Sequence, residues 1–92
     1  MAAAVRDNTA RSRFELDDGG VTAFLTYRRA GDVLSLLHAE TPVAARRRGL
    51  ASRLTEGVLQ IARARGLKVI PACPFVRAFI GKHPEYRDLV VV

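Results

Sequence analysis

Arg46-Arg47-Arg48 stands directly before Gly49-Leu50-Ala51, so three guanidinium groups meet a glycine where an apolar-periodic stretch begins. The first backbone N–H groups of a helix starting there have no intrahelical acceptor, and the peptide dipoles add partial positive charge at that end. A phosphate fits such a place, with Gly49 permitting close backbone approach. The same arginines could also be a solvated charge run or part of a nucleic-acid surface. A helix-turn-helix is excluded by order, because the next helix comes only after a strand.

Three other residues could do chemistry. His38 and Glu40 share one face of an extended segment; each could move a proton, or be no more than a hydrogen-bonded rim histidine and a solvated carboxylate. Cys73 precedes Pro74, a possible first helical residue, and is either a small buried apolar group or a thiol whose pKa the helix N-terminus lowers. Gly81-Lys82 lacks the upstream glycine of a Walker loop, since Val76 occupies that position, and no G-x-G-x-x-G occurs. One cysteine excludes an internal disulfide, and with two distant histidines it gives no metal-ligand spacing.

The elements that must position these groups follow from periodicity. Leu50, Leu54, Val58, Ile61 and Ala62 form one stripe, with Arg53, Glu56, Gln60 and Arg63 on the other side, which predicts a helix lying on a core. Gly66 closes it as the residue after the cap, and Leu67 to Ile70 read as a short strand ended by Pro71. With Val33 to Ala39 before it the segment is strand, helix, strand, and a right-handed crossover makes the two strands parallel.

The pattern Arg46-x-x-Gly49-x-Ala51 resembles the Q/R-x-x-G-x-G/A signature of the GNAT superfamily of N-acetyltransferases. The resemblance extends over Arg13 to Leu89, to a minimal single-domain branch, with His38 and Thr41-Pro42 before the loop, then Pro71-Ala72-Cys73-Pro74-Phe75 and His83-Pro84-Glu85-Tyr86. It implies acetyl-coenzyme A as cofactor, its pyrophosphate on the backbone of Arg46, Arg47, Arg48, Gly49, Leu50, Ala51 and Ser52. It also implies a pantetheine arm along Leu37 and His38, contacts from Cys73, Phe75 and Phe79, and catalytic candidates His38, Glu40 and Cys73. In the family a tyrosine on the helix after the second parallel strand protonates the leaving thiolate; here Phe79 and Ile80 stand at that place. Larger members wall the acceptor with two helices between their first strands, and only short turns occur here, which implies an open acceptor groove.

Ninety-two residues suit one domain. With 49% hydrophobic and 26% charged residues the composition is that of a globular chain. No apolar run approaches the roughly 18 residues of a membrane span, so no membrane association and a cytoplasmic protein are expected. A net charge of +6 favours anionic partners without choosing among them.

Met1 to Ser12, polar and without period, reads as a flexible tail, with residues 13–92 the domain. Arg13 to Leu16 and Val21 to Tyr27 read as hairpin strands about Asp17-Asp18-Gly19-Gly20. Val33 to Leu37 is apolar on both faces, as in a strand covered on both sides. After Pro74 a short helix carries Phe75, Val76, Phe79 and Ile80 inward, and Leu89 to Val92 is a last extended segment. Gly57, inside the long helix, points to close packing.

The expected fold is α/β with a mixed sheet: a three-strand antiparallel meander, a parallel β-α-β pair and a short C-terminal helix. The expected function is transfer of an acetyl group from acetyl-coenzyme A to an amine by direct attack in a ternary complex, an open groove suiting a protein or peptide amine better than a small metabolite. The alternatives are a coenzyme A-binding regulatory module and a basic nucleic-acid-binding protein.

Overall fold

The computed structural model describes residues 4–43 and 49–91. Five strands form one sheet in the order β1 to β5: β1 Arg6–Asn8, β2 Arg13–Asp18, β3 Val21–Ala30, β4 Val33–Glu40 and β5 Lys68–Pro71. The first four are antiparallel neighbours and β4 pairs β5 in parallel. Helix α1, Leu50–Ala64, makes the crossover between them, and α2, Pro74–Lys82, follows β5. Short 3₁₀ turns cover Thr9–Arg11 and Pro84–Leu89, and Val90 then bridges in parallel to Val69. The mixed α/β sheet is as read from the sequence, whereas Leu89, read as extended, closes the second 3₁₀ turn.

Both helices lie on one face of the sheet. Leu50, Leu54, Val58, Leu59 and Ala62 of α1 share a single core with Phe14, Leu16, Ala23, Leu25, Leu34, Leu36 and Val69 of the strands and with Val76, Phe79 and Ile80 of α2. Leu59 is fully buried, whereas Ile61, placed in the stripe by its spacing, is half-buried. The stripe is displaced because α1 packs on α2 as well as on the sheet. Thr55, also buried, donates to the Ala51 carbonyl at 2.8 Å. At the C-terminus of α1, Leu67 N–H donates to Ala62 O at 2.8 Å and Gly66 N–H to Arg63 O at 3.2 Å, a Schellman end built on the glycine.

Two expectations are corrected. Residues 6–11 of the presumed tail belong to the fold: β1 pairs with β2, so the meander has four strands. Its anchors are polar. Tyr27 donates to Asp7 Oδ1 at 2.7 Å and Arg65 to Asp7 Oδ2 at 2.9 Å. Val5 lies against Gly57, where an added Cβ would stand 2.4 Å from Val5 Cγ2, so the close packing at this glycine is with the N-terminal segment. The second correction concerns β4. Its Leu34 and Leu36 are buried, but Leu37 on the other face is 41% exposed, because no helix covers that face.

On the open face, Glu15 is buried beneath its partners: Arg13 at 2.5 Å, Arg6 at 2.7 Å and Asn8 at 3.2 Å. The hydrogen bond from Arg13, more than any other contact, holds the Glu15 carboxyl below its ordinary range. A depressed folded pKa gives stability that is present above the unfolded pKa, near 4.5, and lost as pH falls through the folded value. Thermal melts of Glu15→Gln are therefore expected to lie below wild type at pH 7, with the gap closing as pH falls below about 4. A constant gap across that range would contradict the assignment.

Candidate functional site

The site arises where the parallel pair ends. β4 and β5 stay in register only as far as Leu36 opposite Pro71, and the last link is Cys73 N–H donating to Leu36 O at 2.9 Å. Pro71 and Pro74 make this divergence unavoidable, since neither has an N–H to extend a ladder. Beyond Leu36, β4 continues through Glu40 paired, among the described residues, only with β3.

At the same point β4 carries a bulge. Tyr27 pairs with Leu36 and Thr26 with His38, so Leu37 is an extra residue opposite one step of β3. The bulge turns His38 and Glu40 to the open face, opposite Thr26 and Phe24, while Ala39 opposite Leu25 packs on the core. His38 and Glu40 are exposed, and among the described residues no side-chain hydrogen bond or ion pair is recorded for either.

An open cleft of ≈ 430 Å³ occupies the gap, lined by His38, Ala39, Glu40, Thr41, Ala51 and Phe75. It spans the sheet, with Ala51 and Phe75 from the helix layer and His38 and Glu40 from the open face. Two helix N-termini converge there, α1 beginning after Gly49 and α2 beginning at Pro74 with Cys73 as its cap residue. Neither cap residue makes a side-chain capping bond, and at α2 the Cys73 N–H is given to Leu36 O while Pro74 has none, so an anion there would meet only the N–H groups that follow. Gly49 has φ 70° and ψ 23°, the left-handed region, and its carbonyl accepts the first helical bond, from Arg53 at 3.1 Å. Arg46, Arg47 and Arg48 lie outside the described residues.

The other sequence-predicted residues take different places. Leu50 is fully buried, and Ser52 is exposed on the first turn of α1. Cys73 is a free thiol, 4% exposed, beneath the point where the strands part. Phe79 does not line the cleft; it is buried, with His83 stacked on it at 3.9 Å and Tyr86 at 6.3 Å. Phe79 and His83 instead border a broader concavity of ≈ 700 Å³ along the outer side of α1, which also takes in Ser52, Arg53 and Glu56.

Neither of the chain's two tyrosines lines the cleft. Tyr86 is buried against Phe79, under the guanidinium of Arg63, which bonds Asp88 at 2.8 Å. Burial first, then the hydrogen bond to Asp7, pushes the Tyr27 phenol up to about 12. Among the described residues there is no group of three or more His, Cys, Asp or Glu able to hold a metal, and no helix is long and apolar enough to cross a membrane. Sequence reasoning missed the Leu37 bulge and Thr41. The bulge leaves no mark in an uninterrupted run of strand residues, and Thr41 carries no signal beyond its place before Pro42.

The family model described as GCN5-related N-acetyl-transferase matches residues 13–89. Among solved structures, the NMR solution structure of a GCN5-like protein from Staphylococcus aureus is similar in fold. The TM-score is 0.68 at 22% sequence identity, over 97% of this chain and 88% of that chain. Comparison with curated proteins returned no match.

Proposed function

The chain belongs to the GCN5-related N-acetyl-transferase family, and from that premise we propose that it binds acetyl-coenzyme A in the cleft and transfers the acetyl group to an amine. The observation that carries this reading is the convergence of two uncapped helix N-termini on the gap between β4 and β5. The pyrophosphate lies on the backbone from Arg46 to Ser52, with Gly49 shaping the turn, and the arginines add charge. The pantetheine arm takes the edge of β4 from Leu37 onward, which among the described residues has no strand partner on the β5 side. Phe75 flanks the arm, and Cys73 lies beneath its thioester end.

In the reaction the neutral amine nitrogen attacks the thioester carbonyl carbon, the carbon–sulfur bond breaks, and coenzyme A leaves as thiolate that takes up a proton as the amide forms. The backbone N–H at the Leu37 bulge donates to the carbonyl oxygen as negative charge develops. His38 and Glu40, both lining the cleft, relay the amine proton. The tyrosine acid of the family has no counterpart at the cleft, so the leaving thiolate takes its proton from water and turnover is slow. Positioning in a ternary complex carries most of the rate. The acceptor is a protein or peptide amine, since the open face offers no enclosure for a small metabolite.

Coenzyme A retained by the purified protein, seen by mass spectrometry, together with acetyl transfer to an amine tests the reading. Of the pH–rate profile, His38→Ala and Glu40→Gln are each expected to lose only a few-fold, with the rate following deprotonation of the amine. A loss of several orders of magnitude in either variant would make that residue an obligatory general base. Retention of coenzyme without transfer to any amine would favour a coenzyme-binding module.

A further inference from the structure

The described large apolar residues that remain exposed are not scattered. Leu37 is 41% exposed, Ile70 40%, Phe75 40%, Val91 39% and Val43 76%. Three of them lie side by side on the open face. Ile70 pairs with Ser35, two residues before Leu37 on the same face of β4. On its other side Val90 bridges to Val69 and Val91 N–H donates to Val69 O at 2.9 Å, which puts Val91 on the same face as Ile70. Leu37, Ile70 and Val91 thus form an apolar strip across β4, β5 and the C-terminal segment. Its Leu37 end is next in sequence to His38, which lines the cleft together with Phe75. An apolar strip continuous with a polar reacting centre marks a place for a partner rather than ordinary surface.

The other half of the open face differs. Its charges are matched, Arg6 and Arg13 to Glu15 and Arg6 also to Asp17, with the Arg13 guanidinium 4.4 Å over the Phe24 ring. Glu40, directly opposite Phe24, is the carboxylate of this face for which no ion pair is recorded among the described residues. A cationic amine approaching the cleft from the open face therefore meets one available carboxylate beside apolar surface.

From this we infer that the acceptor is a polypeptide amine flanked by apolar side chains, which lie on Leu37, Ile70 and Val91 while the ammonium reaches Glu40. The inference rests on the acetyl-transfer reading above and adds the sequence context of the amine.

Two synthetic peptides with one lysine each, flanked by leucines or by serines, test it with acetyl-coenzyme A as donor. The leucine-flanked peptide is expected to show a KM about tenfold lower, the scale of partial burial of one or two aliphatic side chains. Ile70→Asp and Val91→Asp, at exposed positions outside the cleft lining, are expected to erase that difference. Coenzyme affinity by calorimetry and the rate with the serine-flanked peptide are expected to stay unchanged. Equal KM values for the two peptides in wild type, or a difference that persists in both variants, would overturn the inference. So would sedimentation showing a wild-type dimer that Ile70→Asp dissociates, since a second copy would then occupy the strip. A wild type that binds coenzyme A but acetylates neither peptide overturns this inference alone, whereas one that binds no coenzyme A overturns the acetyl-transfer reading beneath it.

Discussion

Gly49→Val is expected to abolish measurable coenzyme A binding in calorimetry, with Gly49→Ala intermediate and Gly49→Asn the mildest of the three. A Cβ at this position would meet no heavy atom within 4 Å, so crowding by the protein is not the constraint. The constraint is φ 70°, which costs an L-residue about 1–2 kcal/mol and a β-branched one more. Asparagine visits this conformation readily, and alanine does so at a cost that corresponds to roughly five- to thirtyfold in affinity. Valine would drive the backbone out of it, and the first N–H groups of α1 would no longer point along the path of the phosphates. Unchanged affinity in Gly49→Val would remove the pyrophosphate from this turn. Equal losses in the valine and asparagine variants would show that the ligand excludes any side chain there, whatever its conformation.

Deletion of Leu37 is expected to lower the rate of transfer by about 10²–10³-fold, the usual consequence of removing one oxyanion donor, while the protein still folds and binds coenzyme A within a few-fold of wild type. The register makes this a clean experiment. Tyr27 already pairs with Leu36 and Thr26 with His38, so the shortened strand can keep every β3–β4 pair and leave His38 and Glu40 on the open face. What it loses is the unpaired backbone step. Circular dichroism and calorimetry report folding and binding, and an amine assay reports transfer. A deletion variant that transfers at the wild-type rate would place the oxyanion elsewhere.

Much of the scaffold was readable from residue spacing. Helix α1 and its Gly66 end, the alternation of Ala23 and Leu25 against Thr22, Phe24 and Thr26, and the parallel pair on either side of α1 all rest on local periodicity or on one glycine. β1 was not readable, because beyond its ladder to β2 its anchors reach residues far along the chain, Asp7 to Tyr27 and Arg65 and Val5 to Gly57. The bare face of β4 was misread for a related reason: Leu37 and Val33 look like interior residues, and only the topology shows that both helices cross on the other side. At the candidate site the helix start at Gly49 and the strand bearing His38 and Glu40 were visible. The cleft itself was not, since it depends on where two strands stop pairing, and Phe79 was assigned to the ligand although its ring is committed to His83 and Tyr86.

The cleft passes between strands from one layer of the molecule to its bare side, and this geometry bears on kinetic order. On the proposed reading the donor is held from the helix layer and the acceptor arrives on the open face, so neither substrate covers the other's entrance. Initial-rate patterns then follow a random sequential scheme, in which desulfo-coenzyme A competes with acetyl-coenzyme A and is noncompetitive toward the amine. Spent coenzyme can also depart before the acetylated product has left, and no gate needs to open between turnovers. A slow catalyst built this way is limited by the chemistry rather than by product release, and a thioester with a better leaving group would speed it.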